Sequence, residues 1–316
     1  MAEPARRAGR VTVFGSVNLD LLVRGGDMPG AGETVLMRSA KWALGGKGAN
    51  QAVAAVRAGA EALFVGAVGA GADGERLVRA LRCAGVDVAH VRTVQDVASG
   101  LALVFVSDDG ESRIVVVPGA NHMVSAADAE AAGEWIAASD VLVVQGELPA
   151  PATGAAVRLA SEAGVRVVVN LAPRIELGAQ LGFADPLVVN EVEAGQLLGE
   201  SLESLSSVSA VLAAGSRFRA LARSVVVTVG AAGAVLITGE GTLHVPALPV
   251  DEVCDTTGAG DALVGVLAAQ LAAGSPLADA LRLAVAAASL SVTVVGAAES
   301  YPEFGRELSR GSRPGE

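Results

Sequence analysis

Asp255-Thr256-Thr257-Gly258-Ala259-Gly260-Asp261 opens an apolar helical run that reaches Ala273. Two carboxylates bracket two glycines. With no Cβ, Gly258 and Gly260 let the backbone come close to a ligand. The free N–H groups at a helix start, with the positive end of the helix dipole, make an anion site. A carboxylate in that same turn repels a phosphate, so anion binding alone does not account for Asp261. The combination fits a carboxylate that takes the proton of a hydroxyl as it attacks a phosphoryl group, while the turn's N–H groups hold the charge developing on the phosphoryl oxygens. Taken alone, such an Asp is better read as a first-turn acid stabilised by the dipole. The rest of the chain changes that reading.

Working outward, Gly45-Gly46-Lys47-Gly48-Ala49-Asn50 starts the first long helix, with Asn50 able to donate to and accept from sugar hydroxyls. Its spacing is not that of a P-loop. Gly15-Ser16-Val17-Asn18-Leu19-Asp20 ends the first strand, and Asn18 and Asp20 share a face if the strand continues. A hydroxyl-binding pair and an ordinary turn both fit that stretch. Glu147 is a lone carboxylate after the strand Val141 to Val144, at the sheet edge where ligands of open α/β sheets gather. Asn190-Glu191-Val192-Glu193 reads as a capping box, with Asn190 at N-cap and Glu193 three residues on. The same pair could stand near phosphate and a hydrated Mg²⁺. Thr228-Val229-Gly230-Ala231-Ala232-Gly233 joins two strands through a turn that either binds a nucleotide or only closes a hairpin. Gly69-Ala70-Gly71-Ala72-Asp73-Gly74 matches a dinucleotide fingerprint, but it is not on the first strand and lacks the acidic residue about 20 positions on that a ribose contact needs.

Continuous Val-rich runs alternate with helical ones, which predicts a mostly parallel sheet covered on both faces. The predicted strands are Val11 to Val17, Val35 to Met37, Leu63 to Val68, Leu101 to Val106, Ile114 to Val117, Val141 to Val144, Val165 to Val169, Leu187 to Val189, Val225 to Val229 and Ala234 to Ile237. The predicted helices are Lys47 to Ala60, Gly74 to Ala84, Ala126 to Ala138, Pro151 to Ala163, Glu191 to Leu198, Gly260 to Ala273 and Leu277 to Ala288. Leu283 to Ala298 reads as a buried helix followed by a strand. Two β-rich stretches, about 18–44 and 88–117, interrupt the alternation and are read as a small separate sheet, a lid over one domain spanning 1–316. Asp108-Asp109-Gly110 is read as a hairpin turn and the tail from Arg306 as frayed.

Composition narrows the class. With 52% hydrophobic and only 3% aromatic residues, the core is aliphatic with tightly packed helices. A net charge of −11 argues against nucleic acid or a membrane surface as partner. Cys83 and Cys254 form no disulfide framework; each is read as a small buried hydrophobe in a reducing cytoplasm. His90, His122 and His244 form no ligand cluster.

Taken together, these residues resemble the ribokinase family, the PfkB-type carbohydrate kinases, from about Val11 to Pro302. Gly45 to Asn50 is similar to the family's first signature and Asp255 to Asp261 to its second, with Asn190-x-x-Glu193 between them. The resemblance implies a three-layer α/β/α fold and an ATP-dependent kinase acting on a sugar's primary hydroxyl, D-ribose first of all. It implies Asp261 as the base, an anion hole at Gly258, Ala259 and Gly260, and a sugar held by Asn18, Asp20, Gly46, Lys47, Asn50, Glu147 and Asp261. ATP is then expected against Asn190, Thr228, Gly230, Gly233, Gly258 and Gly260. Mg²⁺ is expected near Asn190 and Glu193, and K⁺ at Asp255, Thr257, Ser291, Val294, Gly296 and Ser300. A homodimer through the lid sheet is also implied. The chain departs from the family's pattern at Leu263, Val264, Ala70-Gly71 and Val285, the last standing where a His near the adenine is common.

Other readings within the fold are a kinase of fructose, of a deoxy sugar or deoxy-sugar acid, or of a nucleoside. A nucleoside base calls for bulky lid residues, and only Trp42 and Phe105 offer themselves. A sugar-binding regulator without catalysis is disfavoured by the intact Asp261 and its glycine turn.

Overall fold

The computed structural model describes residues 8–26, 28–30, 32–107, 112–200 and 204–304. The chain opens with β1 (Arg10–Phe14), then leaves the main layer for β2 (Asn18–Arg24) and β3 (Ser39–Gly45). It returns through α1 (Lys47–Arg57), β4 (Glu61–Gly69), α2 (Ala72–Cys83) and β5 (Asp87–Val94), and leaves again for β6 (Gly100–Val106) and β7 (Ser112–Val117). Then follow α3 (Ala126–Ala131), α4 (Gly133–Ala137), β8 (Val141–Gln145), α5 (Ala150–Glu162), β9 (Arg166–Asn170), β10 (Ala184–Asn190) and α6 (Glu191–Leu198). The last part holds α7 (Val208–Ala213), α8 (Gly215–Phe218), β11 (Val225–Thr228), β12 (Ala234–Ile237), β13 (Thr242–Val245), α9 (Ala259–Ala272) and α10 (Leu277–Ser291).

The large sheet has nine strands in the order β13-β12-β11-β10-β9-β8-β1-β4-β5. It is parallel except at β12 and β13, which turn back as antiparallel neighbours. The Val runs explain the layering. Along β8, Val141 and Val143 enter one core and Leu142 and Val144 the other; Val226 of β11 likewise faces away from Val225 and Val227. A strand alternates faces, so an unbroken apolar run can be buried only between two helical layers. Each buried Val contributes about 1.5–3 kcal/mol, which favours this arrangement over any that leaves one face wet. One layer contains α1, α2, α9 and α10, and the other α3, α5 and α6 among its helices.

Within the first layer, α9 packs on α1 unusually closely. A Cβ at Gly265 would lie 2.4 Å from the Gln51 carbonyl and 2.5 Å from the Ala54 Cβ. Asp261 stands one turn before Gly265 on the same face, so this contact brings it against the start of α1.

A second sheet of four strands has the order β3-β2-β6-β7. Its strand β2 begins four residues after β1 ends, so the small sheet springs from the edge where the parallel strands finish. Asn18 pairs with Gly45, and Asp20 with Ala43.

Several expectations need correction. Val35 to Met37 is not a strand; the strand is Ser39–Gly45, which pairs with β2 along its whole length. Of the stretch 88–117 read as lid, Asp87–Val94 pairs parallel with β4 and belongs to the large sheet. The helix read over Ala126 to Ala138 breaks at Ala132, just before Gly133. Among the described residues no strand follows α10; the chain makes turns and bends from Val292 to Ala297. Strand β13 and helices α7 and α8 were not anticipated. Cys83 and Cys254 are both exposed, because Cys83 lies off the buried stripe of Gly74, Leu77 and Leu81, and Cys254 precedes α9 in a loop. Asp108-Asp109-Gly110 and the tail from Arg306 lie outside the described residues. Among the described residues no helix is long and apolar enough to cross a membrane.

Candidate active site

The site is built where the small sheet meets the carboxyl ends of the parallel strands. Asn18 is buried, and its Oδ1 accepts from Asn121 Nδ2 at 2.8 Å. Asn121 also clasps the backbone of Val17, accepting from its N–H at 3.0 Å and donating to its carbonyl at 3.1 Å. The turn before β2 is thereby fixed by a residue from beyond β7. Asp20 points over Gly45, where a Cβ would sit 2.0 Å from Asp20 Oδ2. Its Oδ1 is buried without a partner. Burial, then the charges of Glu147 and Asp261, push the Asp20 carboxyl up to about 7.

The start of α1 is held by Glu147. Its Oε2 accepts from Ser16 Oγ at 2.5 Å and from the Lys47 N–H at 3.0 Å. The Ala49 N–H donates to the Ser16 carbonyl at 2.9 Å. Gly46, at φ 86°, makes the turn into the helix. The Lys47 ammonium is held above its ordinary range, by Asp261 foremost, with burial opposing and Glu147 and Glu193 adding. This cation stays charged among the carboxylates of the site.

Asp261 is 6% exposed. Its Oδ2 accepts from Asn50 Nδ2 and its Oδ1 from Gln51 Nε2, each at 2.9 Å. Asn50 Oδ1 is buried without a partner, an acceptor free for a ligand hydroxyl. The N-cap of helix α9 is Gly258, in the left-handed region at φ 78°. The Gly258 carbonyl accepts from the Tyr301 hydroxyl at 2.7 Å. Burial, reinforced by the charge of Asp261, keeps that phenol protonated and a donor. In the first turn, the N–H groups of Gly260 and Asp261 have no carbonyl within the helix to bond. The Ala259 N–H makes a long bond, 3.3 Å, to the Thr256 carbonyl.

Further along the sheet edge, Asn190 and Thr228 are register partners across β10 and β11. Asn190 and Glu193 form the expected capping box: Asn190 Oδ1 accepts from the Glu193 N–H at 2.8 Å, and Glu193 Oε2 from the Asn190 N–H at 2.9 Å. Burial pushes the Glu193 carboxyl up, against its bond to Asn190 and the charge of Lys47. The turn from Thr228 to Gly233 closes on itself, the Val229 N–H donating to the Gly233 carbonyl at 2.8 Å. It joins antiparallel strands, so the hairpin reading holds for its backbone.

The loop before α9 is laced to the loop after α10. The Cys254 N–H donates to the Val292 carbonyl at 2.8 Å. Asp255 Oδ1 accepts from the Thr257 N–H at 2.9 Å, and Oδ2 from the Gly296 N–H at 3.1 Å and from Arg24 Nη2 at 2.9 Å. Burial raises the Asp255 carboxyl, but the bonds from Thr257 and Gly296 and the Arg24 charge outweigh it and hold it below the usual range. Asp255, Thr257 and Gly296 thus come together; Ser291 is buried nearby and bonds the Ala288 carbonyl, whereas Val294 is exposed. The side chain of Ser300 lies outside the described residues. Leu263, Val264 and Val285 are all buried in the core of the first helical layer. Val285 is therefore a packing residue of α10. Sequence reading missed Gln51, Asn121 and Tyr301. For Gln51 a signal existed: a second polar residue beside Asn50, just before the apolar run Ala52 to Val56.

A buried carboxylate in a glycine turn, beside a sheet edge with unpartnered acceptors, has the groups that a kinase of a hydroxylated substrate needs. Comparison with known proteins agrees: residues 8–303 match the pfkB family of carbohydrate kinases, and the chain belongs to it. It is 33% identical over 307 residues to a ribokinase of Schizosaccharomyces pombe, covering 93% of this chain and 95% of that one. It is 32% identical over 297 residues to a deoxyribokinase of Salmonella typhimurium, covering 93% and 96%. The structure of Arabidopsis thaliana ribokinase complexed with ribose and ATP superposes with a TM-score of 0.87, at 30% identity, over 97% of this chain and 100% of that one.

Proposed function

We propose that this sugar kinase is a ribokinase, transferring the γ-phosphoryl group of ATP to the primary hydroxyl of D-ribose to give D-ribose 5-phosphate and ADP. The observation that carries this reading is Asp261: buried, gripped by two amide side chains and standing in the first turn of α9. Phosphoryl transfer is mainly positioning and charge neutralisation. Asp261 takes the hydroxyl proton as the new O–P bond forms, and the proton remains on its carboxyl. The first-turn N–H groups at Ala259 and Gly260 receive the charge on the phosphoryl oxygens. Lys47, on the same helix as Asn50, adds positive potential. Asn18, Asp20, Gly46, Lys47, Asn50 and Glu147 hold the sugar, and the unpartnered oxygens of Asp20 and Asn50 are the acceptors its hydroxyls satisfy. ATP lies along Asn190, Thr228, Gly230, Gly233 and the Gly258–Gly260 turn. The similarity to a deoxyribokinase favours 2-deoxyribose as the second reading, and the 2-hydroxyl is what separates the two.

Five further elements belong to the proposal. Mg²⁺ is placed by this reading at Asn190 and Glu193, where the capping box engages Asn190 Oδ1 and one of the two Glu193 carboxylate oxygens, Oε2; bound with ATP, it would neutralise phosphate charge. K⁺ fits the loops at Asp255, Thr257, Ser291, Val294, Gly296 and Ser300 with one qualification of chemistry: Arg24 already stands on the Asp255 carboxylate, so K⁺ shares it or displaces the guanidinium. A homodimer through the small sheet is supported by β7, an edge strand whose Ile114, Val115, Val116 and Val117 are 57%, 53%, 46% and 50% exposed. The small sheet is the lid, over a cleft of about 260 Å³ lined by Asp20, Arg24, Lys41, Thr257 and Glu299 among others. The enzyme acts in the cytoplasm.

ADP release with ribose, 2-deoxyribose, fructose and adenosine tests the substrate. Ribose is expected to give the highest kcat/KM; a higher value for another sugar overturns the assignment. Asp261→Asn tests the base. Turnover is expected to fall about 10²–10⁴-fold with ribose and ATP binding retained, and a variant keeping a tenth of its turnover is incompatible with the role.

A further inference from the structure

Behind Asp261 lies a row of buried amides that the proposed reaction does not use. Gln51 of α1, Gln145 at the end of β8 and Asn170 at the end of β9 are 0%, 2% and 8% exposed. Gln51 Nε2 donates to Asp261 Oδ1 and to Asn170 Oδ1, both at 2.9 Å, so both of its hydrogens are spent. Gln51 Oε1 accepts from Gln145 Nε2 at 2.7 Å. The orientation of the row is fixed by chemistry. Asn170 Nδ2 donates to the Val188 carbonyl at 3.2 Å, and a carbonyl can only accept. Asn170 must therefore turn its oxygen to Gln51, and Gln51 must present its NH₂ group there. That same group meets the carboxylate, which also can only accept. A flipped Gln51 would set oxygen against two oxygens.

Burying amides in an aliphatic core is unfavourable unless they are bonded. This row leaves Gln145 Oε1 buried without a partner, so it is not an arrangement that packing alone selects. Its ordered end is on Asp261. Amides neither take up nor release protons during the reaction, so the row offers the carboxylate fixed donors and no exit for its proton.

We propose that Gln51, held by Gln145 and Asn170, is a positioning residue for phosphoryl transfer: it fixes the plane of the Asp261 carboxylate and leaves the remaining lone pairs to the sugar hydroxyl. This rests on Asp261 being the base. The other charged or titratable groups around it are Lys47 on α1, Asp20 on β2, Glu193 on α6 and Tyr301 beyond α10, and none of them is altered in the variants below.

The experiment measures kcat, both KM values, the pH profile of kcat/KM and Tm for Gln51→Leu, Gln51→Glu, Gln145→Leu and Asn170→Ala. Gln51→Leu is expected to lower kcat about 10- to 100-fold, the range for a misaligned catalytic group, with the KM of ribose and of ATP little changed. Because the variant removes a donor to the carboxylate, its pH profile is expected not to superimpose on that of the wild type. Gln51→Glu keeps the shape but replaces the donor by an acceptor, and is expected to lose at least as much. Gln145→Leu and Asn170→Ala each remove one hold on Gln51 and are expected to give smaller losses of the same kind; they carry the test if Gln51→Leu does not fold. A lowered Tm with wild-type kcat and a superimposable pH profile in these variants would overturn the inference. Asp261→Asn separates the two readings. If that variant keeps its turnover, the base assignment falls. If it is inactive while the amide variants retain wild-type kcat, only the role of Gln51 falls.

Discussion

Asp20 carries the clearest consequence of a single residue's surroundings. Its carboxyl is raised from 3.8 to about 7, chiefly by burial. Between those values the folded protein holds a proton that the unfolded chain has released. The contribution of this group to stability is thus full below about 4 and is lost as pH rises through about 7. Thermal unfolding across that range, with wild type compared to Asp20→Asn, is expected to show the wild type losing Tm relative to the variant. Sugar hydroxyls donate to the ionised form, so ribose binding should release a proton near neutrality and tighten as pH rises. Calorimetry in two buffers of different ionisation enthalpy reads this directly; binding without proton release near neutrality would remove Asp20 from the sugar site. Asp20 and Asn18 were legible in the sequence because two polar residues two apart share a strand face. Asn121 was not, since its partner Val17 lies 104 residues away. Tyr301 was equally hidden, 43 residues from the carbonyl it steadies.

At the scale of elements, the contact of α1 with α9 holds Asp261 to its amides. A side chain at Gly265 would collide with the Gln51 carbonyl. Gly265→Val is expected to cost about 1–3 kcal/mol of stability through overpacking, and to lower kcat more than either KM because Asp261 moves with its helix. Chemical denaturation and steady-state kinetics check the two effects together. The Arg24–Asp255 pair joins β2 to the loop before α9. Replacing Na⁺ by K⁺ at matched ionic strength should raise the initial rate, and Arg24→Gln should enlarge the K⁺-specific rise in Tm. Equal rates and equal Tm values in both salts would exclude the cation site. The elements themselves were readable where strands are Val-rich, since only burial on both faces suits such runs. Ser39–Gly45 was missed because it has no β-branched residue and is exposed over most of its length. The neighbouring Val35-Leu36-Met37 was more apolar, yet Leu36 is 94% exposed. Strand β5 mixes polar and apolar residues as an edge strand does, and the sequence alone does not say which sheet's edge it forms.

At the scale of the whole molecule, the exposed apolar β7 sets the expected assembly. Val115→Lys puts a charge on that edge and should convert a dimer to a monomer in light scattering coupled to size exclusion. A monomeric wild type at micromolar concentration would contradict the proposal. Family membership was legible because two short glycine signatures and Asn190-x-x-Glu193 occur in the right order. The amide row behind Asp261 was not, because it is assembled from α1, β8 and β9, and no local spacing records their meeting.

The two excursions that build the small sheet leave and rejoin the main layer at separate points, before α1 and after β5. Asn18 and Asp20 travel with the excursions; Asp261, Asn50 and Gln51 stay with the helices. Under the proposed assignment, part of the sugar's contacts, Asn18 and Asp20, therefore rides on pieces of chain separate from Asp261, while Lys47, Asn50 and Glu147 stay with the main layer. Exchange of the β2–β3 and β6–β7 segments between related kinases should shift sugar choice while the recipient's chemistry survives, which would give this architecture a route to new substrates.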